Sequence, residues 1–234
     1  KMHKKIIGFL LLLLCSATLS AGIKFSPIQL YIENSKKQRS TTVNIESTGL
    51  KYSKIYEISA FKWQQNERGD DVLVEDKTLL FNPRTFELKP ESKQIVRIGF
   101  SQPLTGTEKQ QAWRVIFKEV TPVEDTSSIN FLFNFSLPLF TEKHSAPQLN
   151  VNLEKVNGLA YLKVGNKAKS HAKIVEVIVL DNLNNEVLKK DFTQYVLSGN
   201  EIKFEIGEIK TTGNLKLKIK VEEYGEYLEY PISA

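Results

Sequence analysis

From Gly22 to Phe140 the chain alternates short runs of apolar and polar residues at period two with clusters of turn-forming residues. "KFSPIQLYIE", "STTVNIEST" and "YSKIYEISAFKWQ" lead to the turn "NERGDD", then to "VLVED", "TLLFNPRTFELKPESKQIVRIGF" and "QAWRVIFKEV". Runs rich in Val, Ile, Phe, Tyr and Thr at this spacing predict the strands of an all-β sandwich. No segment sustains an i, i+3, i+4, i+7 stripe over the length of a helix. The pattern pauses at "TEKHSAPQLN", where Pro147 and small polar residues predict a linker at about 142–149. A second β-set follows: "VNLEKV", "LAYLKVGN", "AKIVEVIVLDN", "EVLKKDF", "EIKFEIGEI" and "LKLKIKVEEYGEYLEYPI". Two β-sandwich domains in tandem are therefore expected, over 22–143 and 150–234.

The last run before the linker, "SINFLFNFSLPLF" at 128–140, is the most apolar. Ile129, Phe131, Phe133, Phe135, Leu137 and Leu139 fall on one face, with Asn130, Leu132, Asn134, Ser136, Pro138 and Phe140 on the other. Sandwich strands commonly run five or six residues, and this pattern is about twice as long. Leu137 and Leu139 are expected in the domain's own core, where "LPLF" approaches the linker. The excess, from Ile129 to Phe133, must lie along an edge or be covered by another molecule, because a long bare apolar strand invites aggregation. Large side chains at alternate positions, ~7 Å apart, would fit a row of pockets in a partner that lacks a strand.

The N-terminus changes the charge picture. "KMHKKIIGFLLLLLCSATLSAG" has a basic start, an apolar core from Ile6 to Leu14 and small residues after it, the layout of a secretory signal peptide over residues 1–21. Cleavage is expected after Ala21, with Ala17 the alternative. The apolar run is short for a membrane span, and Leu14 stands where a lipidated Cys15 would want a small neighbour. Removing the segment takes away three lysines and no acid, so the formal charge falls from +5 to +2. That leaves no electrostatic case for nucleic acid. Cys15 is the only cysteine, so the exported chain has no disulfides and no thiolate metal site. Export without disulfides fits a bacterial periplasm.

Catalytic chemistry is not legible. His144 falls in the linker and His171 in a turn, with no nucleophile elbow or metal-ligand spacing beside either, and both are read as surface histidines. No phosphate-binding loop or dinucleotide fingerprint occurs. Glu67, Asp70, Asp71, Glu75 and Asp76 lack the spacing of a Ca²⁺ loop. They are read as water-facing acids around a Gly69-Asp70 hairpin turn. No enzyme activity, cofactor or metal is expected.

With catalysis set aside, the first half of the chain resembles periplasmic pilus (fimbrial) chaperones, in their archaic or alternate branch. "FKWQQNERGDDVL", with Trp63, Gln65, Gly69 and Asp71, is similar to that branch's W-x-Q-x-x-G-x-D hairpin. "FNPRTFELKPESKQIVRIGF" resembles its P-x-x-F-x-L-x-P-x-x-x-Q-x-V-R-I-G segment, through Pro83, Phe86, Leu88, Pro90, Gln94, Val96, Arg97 and Gly99. "AWRVIFKEV" resembles its Y-R-L-x-x-x-E-V strand, with Trp113 in the tyrosine place, and "FSLPLF" the end of its subunit-binding strand. "LKVGNKAKSHAKIVEVIV" is similar to a weaker V-x-N motif through Asn166. The resemblance covers about 22–180 and is thin beyond the first domain.

It implies two immunoglobulin-like domains in a boomerang, binding pilus subunits by donor-strand complementation and delivering them to an outer-membrane usher. The donors would be Ile129, Phe131, Phe133 and Phe135, on the strand at 128–140. Better-studied members anchor the subunit's C-terminal carboxylate with an arginine on the first strand and a lysine late in the donor strand. Those positions here hold Gln29 and Pro138, which leaves Arg114, then Arg97, as candidates. The free protein is expected to cap its apolar strand by dimerising. A structural pilus subunit or secreted β-sandwich adhesin is the alternative. A subunit would carry its alternating apolar segment near the mature N-terminus, whereas here that segment is internal.

Overall fold

The computed structural model describes residues 22–106, 108–122, 131–142 and 144–233. The expected signal peptide and Ile129 lie outside the described residues. Apart from a 3-10 turn at Asn34–Lys36, the regular structure described is all strand.

The first sandwich is built from β1 (Gly22–Ser26), β2 (Leu30–Tyr31), β3 (Ser40–Thr48), β4 (Lys54–Gln65), β5 (Asp71–Glu75), β6 (Leu79–Asn82), β7 (Thr85–Leu88), β8 (Lys93–Phe100), β9 (Ala112–Glu119) and β10 (Asn134–Phe140). One sheet runs β1-β3-β8-β6 and the other β2-β10-β9-β4-β5, with β7 on the first half of β4 and β5 on its second. "KFSPIQLYIE" does not form one strand. Pro27 has no N–H for a ladder, so the chain breaks there; β1 pairs β3 in one sheet and β2 pairs β10 in the other. Alternate residues of both sheets face inward, among them Val43, Ile45, Val96 and Ile98 against Tyr56, Ile58, Val115, Phe117 and Leu139.

The second sandwich comprises β11 (Leu149–Val156), β12 (Leu159–Asn166), β13 (Ala172–Leu180), β14 (Glu186–Val196), β15 (Glu201–Glu208), β16 (Asn214–Val221) and β17 (Tyr227–Ser233). Its sheets are β11-β12-β15 and β14-β13-β16-β17, closed over Leu162, Val164, Ile174, Val177, Val179, Leu217 and Ile219. The V-x-N asparagine explains itself here. Buried Asn166 donates to the Ser170 and Val196 carbonyls and accepts from the Ala168 N–H, stapling the loop after β12 to the end of β14.

The two sandwiches meet over a small apolar cluster of Trp63, Ala112, Phe140 and Leu197, flanked by Tyr31 and Tyr195. The "WQQNERG" hairpin is the main clasp. Gln65 Nε2 donates to the Tyr195 carbonyl at 2.7 Å while its Oε1 accepts from the Leu197 N–H at 2.9 Å, so one side chain imitates a paired strand residue. Gly69 has φ +81°, a conformation that favours glycine, and a Cβ there would also push on the Gln194 amide 2.9 Å away. Gln65→Ala is expected to remove both bonds and strand two polar groups at the seam, lowering stability by about 1–3 kcal/mol. Urea unfolding followed by tryptophan fluorescence checks this, since Trp63 lies at the same seam.

Candidate functional site

Strand β10 has one closed edge and one open edge. Asn134 to Phe140 pair with Lys118 to Ala112 of β9, but on the other side only Leu139 and Phe140 meet β2. Among the described residues, nothing pairs with the open edge from Asn134 to Pro138. The strand begins five residues later than the sequence pattern from Ile129 predicts, for a simple reason. Its ladder partner β9 ends at Glu119, and beyond it Val120 donates to Ile55 of β4, so among the described residues 131–133 have no strand beside them.

The two faces of β10 have different uses. Leu137 and Leu139 are buried in the core of the first sandwich, while Pro138 and Phe140 face the second sandwich together with Ala112 and Arg114. Phe135 was expected among the exposed donors, but it is half-buried, 4.8 Å from the ring of Phe25 and 6.1 Å from Tyr56. It is the first residue of the series committed to the protein's own core. Phe131 and Phe133 continue the same face past the end of β9 and lie 72% and 57% exposed, with Leu132 between them at 51%. They project where the sandwich no longer supplies a cover. There the Phe133 N–H donates at 3.0 Å to Glu119, a buried carboxylate that also takes Lys54 Nζ at 2.7 Å.

Arg114 lies mid-strand in β9, in register with Phe61 of β4 and Pro138 of β10. Its guanidinium carbon stands 3.8 Å over the Trp63 ring and 5.5 Å from the Tyr195 ring. One nitrogen reaches Asp71 at 3.5 Å, and the buried Nε has no hydrogen-bond partner among the described residues. Burial pushes the guanidinium below its ordinary pKa, Asp71 opposes that, and the group remains a cation. Among the described residues, four of its five N–H donors are thus left without a carboxylate. Arg97, the other candidate, is not brought to this place. It is exposed on the outer face of β8, in the opposite sheet, with Nε on Ser40 Oγ at 2.9 Å. Gln29 donates to the Tyr195 hydroxyl at 3.2 Å and accepts from Tyr31 at 3.1 Å.

Several residues of the seam had no signal in the sequence. Tyr195 belongs to a weakly patterned strand, yet it touches Trp63, Phe140, Arg114 and Gln29. Asp71 and Asp76 are not simply water-facing: each accepts an indole N–H at 2.7 Å, from Trp63 and Trp113 respectively. His171 is not a surface residue. It is 3% exposed and stacked on Phe140 at 3.8 Å and 15°, and burial holds its pKa below the ordinary value.

No protein-family model matches the chain, and no curated protein matches it. Solved structures do. A chain of the CsuC–CsuE chaperone–tip adhesion subunit pre-assembly complex, from the archaic chaperone-usher Csu pili of Acinetobacter baumannii, is 21% identical over 91% of this chain and 99% of its own, with TM-score 0.67. The CupB2 chaperone of Pseudomonas aeruginosa is 12% identical over 90% and 100%, with TM-score 0.59. A chain of the SafA pilin–SafB chaperone complex of Salmonella enterica is 14% identical over 93% and 99%, with TM-score 0.58. The chain therefore has the fold of these proteins, two immunoglobulin-like β-sandwich domains matched along nearly the whole of each.

Proposed function

We propose that the chain is a non-enzymatic periplasmic chaperone that binds pilus subunits by donor-strand complementation and hands them to an outer-membrane usher. One observation carries this: among the described residues β10 keeps an unpaired edge, and Phe131 and Phe133, at alternate positions just before it, lie mostly exposed. A subunit with an incomplete sandwich would take the open edge as its missing strand. Phe133 and Phe131, and Ile129 by the same alternation, would enter its pockets. Backbone hydrogen bonds supply affinity with little sequence demand, and the side chains supply register.

The proposal also gives Arg114 a task. A strand added to the open edge must stop where β2 begins at Leu139. Its terminal carboxylate then arrives at the seam between the sandwiches, the face on which Arg114 holds unused donors beside Trp63 and Tyr195. A charge-assisted bond there is strong because the site is half-dry. In the free protein the same edge would pair with that of a second copy.

Periplasmic co-expression with tagged subunits encoded beside this gene tests the proposal. A one-to-one complex is expected from the wild type, with recovery falling by about tenfold or more for Arg114→Met, which keeps the stacked volume and removes the charge. Recovery of the two proteins only as separate species would contradict it.

A further inference from the structure

Three side chains that the open strand does not use converge beside the seam. His144 comes from the connection between the sandwiches, His171 from the loop joining β12 to β13, and Glu223 from the turn joining β16 to β17. One ligand atom of each lies within 4.8 Å of the others.

The hydrogen bonds around His171 decide what its ring presents. Gln110 Oε1 is 2.8 Å from the His171 backbone nitrogen and 2.8 Å from its Nδ1. A backbone N–H can only donate, so the atom facing it is the amide oxygen; Gln110 Nε2 in turn donates to the Glu142 carbonyl. Nδ1 therefore carries a proton, and Nε2 presents its lone pair in the neutral ring. Nε2 lies 3.4 Å from Glu223 Oε1, with no side-chain exposure on the histidine and 14% on the glutamate. Neither Nε2 nor either carboxylate oxygen has a hydrogen-bond partner among the described residues. Two buried acceptors facing each other repel unless a cation lies between them.

The spacing indicates which cation. A proton on Nε2 would draw the pair to the ~2.7–2.9 Å of a charge-assisted bond. Ligands of a tetrahedral zinc ion with bonds of ~2.0–2.1 Å stand about 3.3–3.4 Å apart. The 3.4 Å between His171 and Glu223 matches that edge; His144 Nε2, 3.8 Å from the same oxygen, lies outside it, so binding would draw the His144 ring inward. Mg²⁺ and Ca²⁺ would want more oxygens than one carboxylate gives.

We propose that His144, His171 and Glu223 form a zinc site. Gln110 orients the His171 imidazole through Nδ1, and zinc would take His144 Nε2 from the Tyr31 hydroxyl, 2.7 Å away, which keeps Gln29 Oε1 to donate to. A cavity of about 190 Å³ lined by Ser145, Pro147, Val221 and Tyr224 leaves room for a water as fourth ligand. The ion would tie the connection between the sandwiches, through His144, to the body of the second. This assignment does not depend on subunit binding.

The full chain, exported, purified and stripped with a chelator, is titrated with Zn²⁺ by calorimetry and with Co²⁺ by visible absorption. One equivalent is expected, with Kd below about 1 µM and a Co²⁺ spectrum of four-coordinate intensity. His144→Ala and Glu223→Gln are each expected to weaken binding roughly tenfold or more, while unfolding in chelator at the wild-type temperature. If Glu223→Gln alters folding, His144→Ala decides, its side chain being the most exposed of the three at 26%. Wild-type binding no tighter than that of the His144→Ala variant, or no binding at one equivalent, overturns the assignment.

Discussion

A chain carrying Phe131→Asp and Phe133→Asp is expected to unfold at the wild-type temperature and to bind its subunit about a thousandfold or more weakly. The two halves of that expectation have separate causes. Within the protein both rings are mostly in water, and among the described residues the Lys54 ammonium approaches the Phe133 centroid no closer than 5.9 Å. Little intrachain packing is therefore at stake. In a subunit's groove each ring would be fully covered, a gain of about 1.5–3 kcal/mol apiece. Losing both gives roughly 3–6 kcal/mol, or two to four decades in Kd, before the cost of burying a carboxylate is counted. Thermal unfolding and calorimetric titration with a purified subunit measure the two halves. A parallel fall in unfolding temperature would show that the rings serve their own fold.

Trp113→Ala should produce the opposite pattern, a large loss of stability. The side chain is 1% exposed, lies 5.1 Å from the Phe100 ring, and carries the Lys62 ammonium 3.6 Å above its own. Its Nε1 also donates to Asp76, which closes the loop after β5 through Thr78. Truncation leaves a cavity in β9, the strand that supports β10, at a cost of about 3–5 kcal/mol. Trp113→Phe keeps most of the volume and loses the hydrogen bond, about 1 kcal/mol. Equilibrium urea unfolding separates the two. Equal losses would place the importance of Trp113 in the bond to Asp76 rather than in its bulk.

How much of this was legible differs from element to element. The period-two runs predicted β3, β4, β9 and β13 closely, because a strand with one buried face must alternate and these strands have one. "KFSPIQLYIE" was misread as a single strand because periodicity does not register a sheet change, although Pro27 marked the break. Leu137 and Leu139 were placed correctly in the core. Phe135 was not, because alternation assigns a face and cannot tell where along that face the sandwich ends; the end of β9 decides that. The acids of the hairpin loop were read from charge alone, whereas Asp71 and Asp76 serve indoles 8 and 37 residues away. His144, His171 and Glu223 lie up to 79 residues apart, with no spacing rule to join them. Arg114 could be singled out as a cation in an apolar strand, but its cage joins Trp63 and Asp71, distant in sequence, to Tyr195 of the other sandwich.

The central claim is that the open edge of β10 is completed by a subunit, and backbone amide exchange measures it most directly. Deuterium uptake should be compared in the free chain and in its purified complex with a subunit, by mass spectrometry of overlapping peptides. The account predicts that, between Phe131 and Leu137, the amides that face the open edge and not β9 exchange quickly in the free chain and become strongly protected in the complex, with β13 and β16 unchanged. Protection confined to the second sandwich, with 131–138 exchanging as before, would contradict it.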